Sequence, residues 1–222
     1  KVSRNYTRPC YVLKCDIRKF FDSIDHDVLL GILGRKIKDE QTTILLREIV
    51  ESFEASRPNL FERKGVPIGN LTSQIFANIY MNEFDQFVKH ELRVEHYARY
   101  TDDFIVVSND KKYLLDLLKP IEEFLQTRLK LNLHPKKVGI SKSHRGVDFL
   151  GYVLLPHYRI VRVKTRKRMF RKLKAKAFLY RKGLISKESL DQSLQSYLGV
   201  LSHGDTYGLT QDLKNQFWFW SN

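Results

Sequence analysis

Three carboxylates carry the chemistry that this sequence offers. Asp16 closes the apolar run of residues 11–17, Tyr-Val-Leu-Lys-Cys-Asp-Ile, and Asp102 and Asp103 sit side by side in residues 97–108, Tyr-Ala-Arg-Tyr-Thr-Asp-Asp-Phe-Ile-Val-Val-Ser. An acid in an apolar run needs a partner or a cation, and adjacent carboxylates repel unless something screens them. A tight two-residue hairpin favours a glycine pair, and Tyr100-Thr101-Asp102-Asp103 contains none, which weighs against a merely solvated turn. Three acids brought to one point suit two hard divalent cations, which take oxygen ligands. Such ions, about 3.5–4 Å apart, stabilise both the attacking and the leaving oxygen of an in-line phosphoryl displacement. Phosphate chemistry with two Mg2+ ions, replaceable by Mn2+, is the expectation.

The elements that must position these acids follow from residue patterning. Residues 11–17 are β-rich and read as a buried strand, and residues 97–108 read as a hairpin with acid at its tip. Asp25 is placed to cap a helix carrying Val28, Leu29, Ile32 and Leu33. Residues 40–53 read as an amphipathic helix with Ile44, Leu45, Ile49 and Val50 inward, broken by Arg57-Pro58-Asn59. A turn from Gly65 opens a helix to about His90 with Ile75, Ile79 and Phe87 buried. Residues 111–129 form another helix, which Pro120 kinks or divides, and residues 131–137 an extended piece and a turn. Residues 147–155 and 158–163 read as paired strands, and residues 165–181 as a basic helix that Gly183 ends. Ser186 and Ser189 start the next helix, to about Ser202. Helices between the acids can cover one face of a shared sheet, an α+β arrangement.

Composition narrows the partners. The 222 residues carry 39 Lys and Arg against 25 Asp and Glu, a net charge of +14, and no acid occurs between Asp148 and Glu188. That block points to a polyanion, nucleic acid before membrane. No apolar run approaches the length of a membrane span and no signal-peptide pattern is visible, so a cytoplasmic setting is expected. Cys10 and Cys15 form neither a disulfide framework nor a metal-ligand pattern.

In order along the chain, the motifs resemble the palm of reverse transcriptases, from Tyr11 to about Leu213. Asp16-Ile17-Arg18-Lys19-Phe20-Phe21 is similar to the first catalytic motif, Pro67-Ile68-Gly69 to the template and nucleotide loop, and Tyr100-Thr101-Asp102-Asp103 to the polymerase hairpin. Lys137 falls at the palm lysine and Phe149-Leu150-Gly151-Tyr152 at the primer grip. The chain resembles bacterial and phage enzymes related to retrons and group II introns. Ile68-Gly69-Asn70-Leu71-Thr72-Ser73-Gln74 and Ser196-Tyr197-Leu198-Gly199-Val200-Leu201-Ser202-His203 are most similar to the diversity-generating group.

The resemblance implies a right-hand polymerase palm, an antiparallel sheet with helices on one face, over residues 1–160. A basic helical thumb over residues 161–222 follows it. It implies RNA-directed DNA synthesis from an RNA template, a DNA or RNA primer and dNTPs, with Asp16 and Asp102 on both metal ions and Asp103 and the Ile17 carbonyl as further ligands. Phe21 becomes a steric gate against the ribose 2′-hydroxyl, while Phe20 reads equally well as core. Lys19, Pro67, Asn70, Tyr100 and Thr101 fall in the nucleotide site. Ile68 stands where many relatives have Gln, which implies looser base selection and error-prone copying. Lys137 neutralises the triphosphate or protonates pyrophosphate. Lys164, Arg166, Lys167, Arg168, Arg171, Lys172 and Lys174, with Arg159, Arg162 and Lys176, would follow a nucleic-acid backbone. Met169, Phe170, Leu173, Ala177 and Phe178 give their helix a docking stripe.

Only ten residues precede the first catalytic strand, so a palm and thumb without fingers is expected, weak or inactive by itself. Two other readings use the same residues: a maturase-type protein that binds structured RNA, and a non-catalytic nucleic-acid-binding palm. A basic accessory protein is a further partner by analogy.

Overall fold

The computed structural model describes residues 2–3, 7–52, 64–67 and 70–221. It divides into two compact units, Lys1–Lys142 and Ser143–Asn222. Among the described residues no helix is long and apolar enough to cross a membrane.

The first unit is built on a four-stranded sheet in the order β2-β3-β1-β4, with every neighbouring pair antiparallel. Its strands are β1 (Tyr11–Asp16), β2 (Tyr97–Tyr100), β3 (Asp103–Ser108) and β4 (Gly139–Lys142). Side chains alternate across a strand, so Leu13 and Cys15 turn into the core with Phe104 and Val106 opposite them, while Lys14 and Asp16 share the other face with Asp103. Sheet parity alone therefore keeps the acids out of the core.

Helices α1 (Phe20–Ser23), α2 (His26–Lys36), α3 (Glu40–Glu51), α4 (Leu71–Gln86), α5 (Lys111–Asp116) and α6 (Leu118–Leu129) complete this unit. Asp25 caps α2 by accepting from the Val28 N–H at 3.1 Å, as expected, and Asp39 caps α3 through Thr42. Tyr80 is fully buried on α4; its hydroxyl donates to the Leu129 carbonyl at 2.6 Å and accepts from the Asp25 N–H, fastening α2 and α6 to α4. Burial pushes the Tyr80 phenol up, so it remains a donor.

The inward faces of two helices differ from expectation. On α3 the packed stripe is Leu46, Ile49 and Val50, while Ile44 and Leu45 are more than half exposed. On α4 it is Ser73, Phe76, Ala77, Tyr80, Met81 and Phe84, which leaves Ile75 outside. Both observed stripes follow the i, i+3, i+4 spacing of one helix face, which is narrower than the apolar content of either segment. α4 passes into a π-helical turn, Phe87–Glu91, and the helix of residues 111–129 breaks at Leu117, with Pro120 in the first turn of α6.

The second unit has β5 (Val147–Phe149), β6 (Tyr152–Leu154), β7 (Arg159–Val161), α7 (Val163–Arg181), α8 (Lys187–Ser202) and α9 (Tyr207–Ser221). The run 147–155 is thus two strands, folded back at Leu150 and Gly151 with φ of 52° and 85°, a primed turn that glycine accepts readily. The basic helix starts at Val163, and Ser186 caps α8 as expected. The division between compact units falls between Lys142 and Ser143. The sheet β5-β6-β7 is tied within its own unit: the Tyr152 hydroxyl donates to the Val200 carbonyl, and Arg159 exchanges hydrogen bonds with Asp205. Met169, Leu173 and Ala177 form the buried stripe of α7, whereas Phe178 is exposed.

Cys10 and Cys15 are both buried and unbridged. Burial, then the nearby Glu122 and Asp103 carboxylates, push the Cys15 thiol up to about 12, where almost no thiolate exists at neutral pH. Cys15 in the folded protein is therefore expected to resist iodoacetamide at pH 7.5 and to react in denaturant; labelling of the native chain at that residue, read by mass spectrometry, would contradict its burial.

Candidate active site

The register of β1 on β3 sets Asp16 directly opposite Asp103. Cross-strand partners point to the same side of a sheet, so the two carboxylates share one face at the sheet end. Asp102 precedes Asp103 in the turn, and its carbonyl accepts a hydrogen bond from the Ile17 N–H at 3.1 Å. The turn is a two-residue connection, since Tyr100 pairs with Asp103. Lacking glycine, it places Thr101 at φ 52°, a left-handed conformation that is costly for a β-branched residue. The Thr101 hydroxyl donates to Asp102 Oδ1 at 2.9 Å and fixes that carboxylate relative to the strained backbone.

Two lysines complete the cluster. Lys137 Nζ lies 2.9 Å from Asp16 Oδ2, and Lys14 Nζ lies 3.1 Å from Asp103 Oδ2. A turn through Pro135 brings Lys137 back: the Lys137 N–H donates to the His134 carbonyl, and the His134 N–H donates to the Asp16 carbonyl. Burial holds the Asp103 carboxyl above the usual carboxylate range against the opposing pull of Lys14, and the like charges of Asp16 and Asp102 add to the rise. Asp103 Oδ1 is buried with no hydrogen-bond partner.

An all-oxygen donor set with one orphaned carboxylate oxygen fits a hard divalent cation. Among the described residues, however, no three ligating side chains have closed into a metal-binding group. Ammonium groups stand on Asp16 and Asp103, so a cation must compete with them. Lys137→Met is expected to tighten Mn2+ binding about 5-fold, the scale of one charge a few ångströms away in well-solvated surroundings. Weaker or unchanged Mn2+ affinity by paramagnetic-resonance titration would contradict competition.

The raised Asp103 carboxyl has a definite sign for metal-free stability. Its folded pKa exceeds its unfolded one, so its contribution is full below the unfolded value and is lost as pH rises through the folded value. Asp103→Asn is expected to remove that loss from the chelator-treated protein; melting profiles of variant and wild type that run parallel from pH 4 to 7 would contradict it.

Phe20 is buried beneath the sheet end, whereas Phe21 is partly exposed and meets it edge-on at 5.3 Å. The structure thus puts Phe20 in the core and leaves Phe21 partly exposed. The Val66 N–H donates to the Phe21 carbonyl and the Gly65 N–H to that of Ile24, which carries Pro67 alongside Phe21. Buried His26 fastens the same loop through the Gly65 carbonyl at 2.7 Å. Ile68 and Gly69 lie outside the described residues. Asn70 stands at the start of α4 without a side-chain capping bond, Lys19 is exposed with φ 46°, and Tyr100 is exposed beside the acids.

In the second unit Leu150 and Gly151 form the β5–β6 turn, flanked by buried Phe149 and by Tyr152. Lys164, Arg166, Lys167, Arg168, Arg171, Lys172 and Lys174 are all exposed on α7. The Arg162 guanidinium pairs with Asp148 and its backbone N–H donates to the Gly151 carbonyl, bracing the same turn.

A family model described as reverse transcriptase (RNA-dependent DNA polymerase) matches residues 1–154. The chain belongs to the reverse transcriptase family. Relatives of this reverse transcriptase chain include the group II intron-encoded protein LtrA of Lactococcus lactis subsp. cremoris, 26% identical over 68% of this chain and 36% of that one. Protein YkfC of Escherichia coli is 26% identical over 67% of this chain and 48% of its own length. The putative COX1/OXI3 intron 2 protein of Saccharomyces cerevisiae is 23% identical over 67% of this chain and 24% of its own length. The chain thus spans less than half the length of each. Among solved structures it resembles telomerase from Candida albicans, bound to a fragment of telomeric RNA, with a TM-score of 0.57 and 15% identity over 99% of this chain and 41% of that one. Candida tropicalis telomerase gives 0.56 and 15% over 86% and 38%. The fold is the right-hand polymerase fold, an α+β chain with antiparallel sheets and packed helices.

Two contributors to the candidate site were not singled out in the sequence. Lys14 reaches Asp103 because it lies two residues before Asp16 on the same strand face, a signal that strand periodicity does contain. Arg99 reaches the Thr101 carbonyl at 3.0 Å, which depends on an anchor in α4 that no local pattern reveals.

Proposed function

We propose that this chain is the nucleotidyl-transfer part of an RNA-directed DNA polymerase, joining a dNTP to a primer 3′-hydroxyl on an RNA template. The observation that carries the reading is the Asp16–Asp103 register, with Asp102 fastened to Ile17 at the same sheet end. Asp16 and Asp102 would hold two Mg2+ ions, with Asp103 and the Ile17 carbonyl completing the donor set. When bound, such ions lower the pKa of the 3′-hydroxyl and offset charge on the α-phosphate.

The chain's own residues do the rest. Asp103 supplies negative charge to the cluster, and the Thr101 hydroxyl orients Asp102. The partly exposed Phe21 ring would exclude a ribose 2′-hydroxyl, the feature that separates the two sugars. Lys137, paired with Asp16 at 2.9 Å, would give a proton to the leaving pyrophosphate. Residues up to about 160 act as palm, the Leu150–Gly151 turn as primer grip, and the exposed cations of α7 as a thumb surface that holds phosphates without reading sequence.

Intron-encoded relatives favour a second role, binding structured RNA as a maturase does. The deciding experiment is primer extension by the full-length protein on matched RNA and DNA templates. Synthesis on RNA that needs Mg2+ is expected; copying of DNA alone would reduce the reading to a general polymerase, and RNA binding without synthesis would leave the non-catalytic one.

A further inference from the structure

We propose that Arg99 is a positioning residue that locks the strained Thr101 peptide and thereby sets where Asp102 and Asp103 point. The inference rests on the polymerase reading of those two acids. Arg99 projects from β2, its side chain is only 9% exposed, and its guanidinium is spread between two targets. Nε and Nη2 donate to the two carboxylate oxygens of Asp85 on α4 at 2.8 and 2.5 Å. Nη1 donates to the Thr101 carbonyl at 3.0 Å. Tyr97, two residues earlier on β2, donates its hydroxyl to Asp85 Oδ1 at 2.7 Å. Burial, with the hydrogen bond to Asp85, pushes the Tyr97 phenol up, which keeps it a donor.

A physical chain therefore runs from α4 through Asp85 and Arg99 to the turn. Its end point matters because Thr101 is held at φ 52°, a strained state that persists only where surroundings enforce it. Relaxation of that residue would swing its carbonyl, and the same peptide plane carries the Asp102 nitrogen and so aims both acids. The atom Arg99 holds is the one that must move. Lysine cannot substitute fully, because a point charge lacks the planar fork that serves Asp85 and the Thr101 carbonyl together. A buried ion pair is itself weak evidence for stability, so geometry is the better reason for this one.

Full-length protein carrying Arg99→Lys, Arg99→Gln or Asp85→Asn tests the proposal through single-nucleotide primer extension and Mn2+ binding, below the melting temperature of each variant. Arg99→Lys is expected to lower kcat about 100-fold, the usual cost of an ångström-scale misplacement, with KM for dNTP within about 3-fold. Its Mn2+ affinity is expected to fall about 10-fold, a typical loss when support for a metal ligand is removed. Asp85→Asn should reproduce both effects, and the Arg99→Gln/Asp85→Asn pair should be no worse than the stronger single change, as for residues acting as a unit. Wild-type kcat and Mn2+ affinity in Arg99→Lys would overturn the proposal and leave Arg99 as packing, as would the failure of both Arg99 variants to fold. Absence of synthesis by the wild type would instead defeat the polymerase reading, and the Mn2+ comparison would still decide the role of Arg99.

Discussion

Asp102→Asn in the full-length protein is expected to reduce primer extension on RNA by at least about 1000-fold, the scale of removing a group that stabilises transition-state charge directly. The substitution keeps the size of the side chain and its ability to accept from Thr101 at 2.9 Å, so the fold should be unaffected and the melting temperature nearly unchanged. What disappears is a negative charge at the point where β1 and β3 end together. Synthesis within a few-fold of wild type would mean that Asp102 is only a turn residue. A large fall in melting temperature would show instead that its charge serves the fold.

Phe21→Ala is expected to raise ribonucleotide incorporation about 100-fold relative to deoxynucleotides, because discrimination by a steric wall is lost when the wall is removed. The contrast with its neighbour sharpens the test. Phe20 is buried in the core, so Phe20→Ala should destabilise the protein by about 3–5 kcal/mol and leave sugar selection alone. Phe21 contributes an edge-on ring contact and partial burial, so its truncation should cost less stability and change the substrate ratio more. The ratio of rNTP to dNTP kcat/KM reads this directly; an unchanged ratio would return Phe21 to packing.

The parts legible in the sequence were those fixed by local rules. Strand β1, the hairpin with acid at its tip, the Asp25 and Ser186 caps and the interruption before Pro120 follow from side-chain alternation, capping chemistry and proline geometry. Other features depend on neighbours distant in sequence. β4 has one apolar residue in Gly-Ile-Ser-Lys and exists because β1 offers it an edge; α9, rich in aromatics, is helical because Leu213 packs into the second core. Ile44, Leu45, Ile75 and Phe178 satisfied a helical apolar pattern yet ended outside, since a pattern gives a face its period and not its width. In the site, the glycine-free turn was informative. It was tight after all, and its strain is concentrated at Thr101, where Arg99 takes hold. The pairing of Lys137 with Asp16 depends on such a distant neighbour, because Lys137 arrives from a turn 121 residues away, whereas the place of Lys14 beside Asp103 follows from strand alternation.

Everything in the mechanism depends on Asp16 and Asp102 sharing cations. The most direct measurement is anomalous scattering from crystals of the full-length protein grown with Mn2+ and a primer–template. The expected result is two Mn2+ peaks roughly 3.5–4 Å apart, bridged by carboxylate oxygens of Asp16 and Asp102, with Lys137 withdrawn from Asp16. Peaks elsewhere, or Mn2+ touching one of these residues while Lys137 still holds the other, would contradict it.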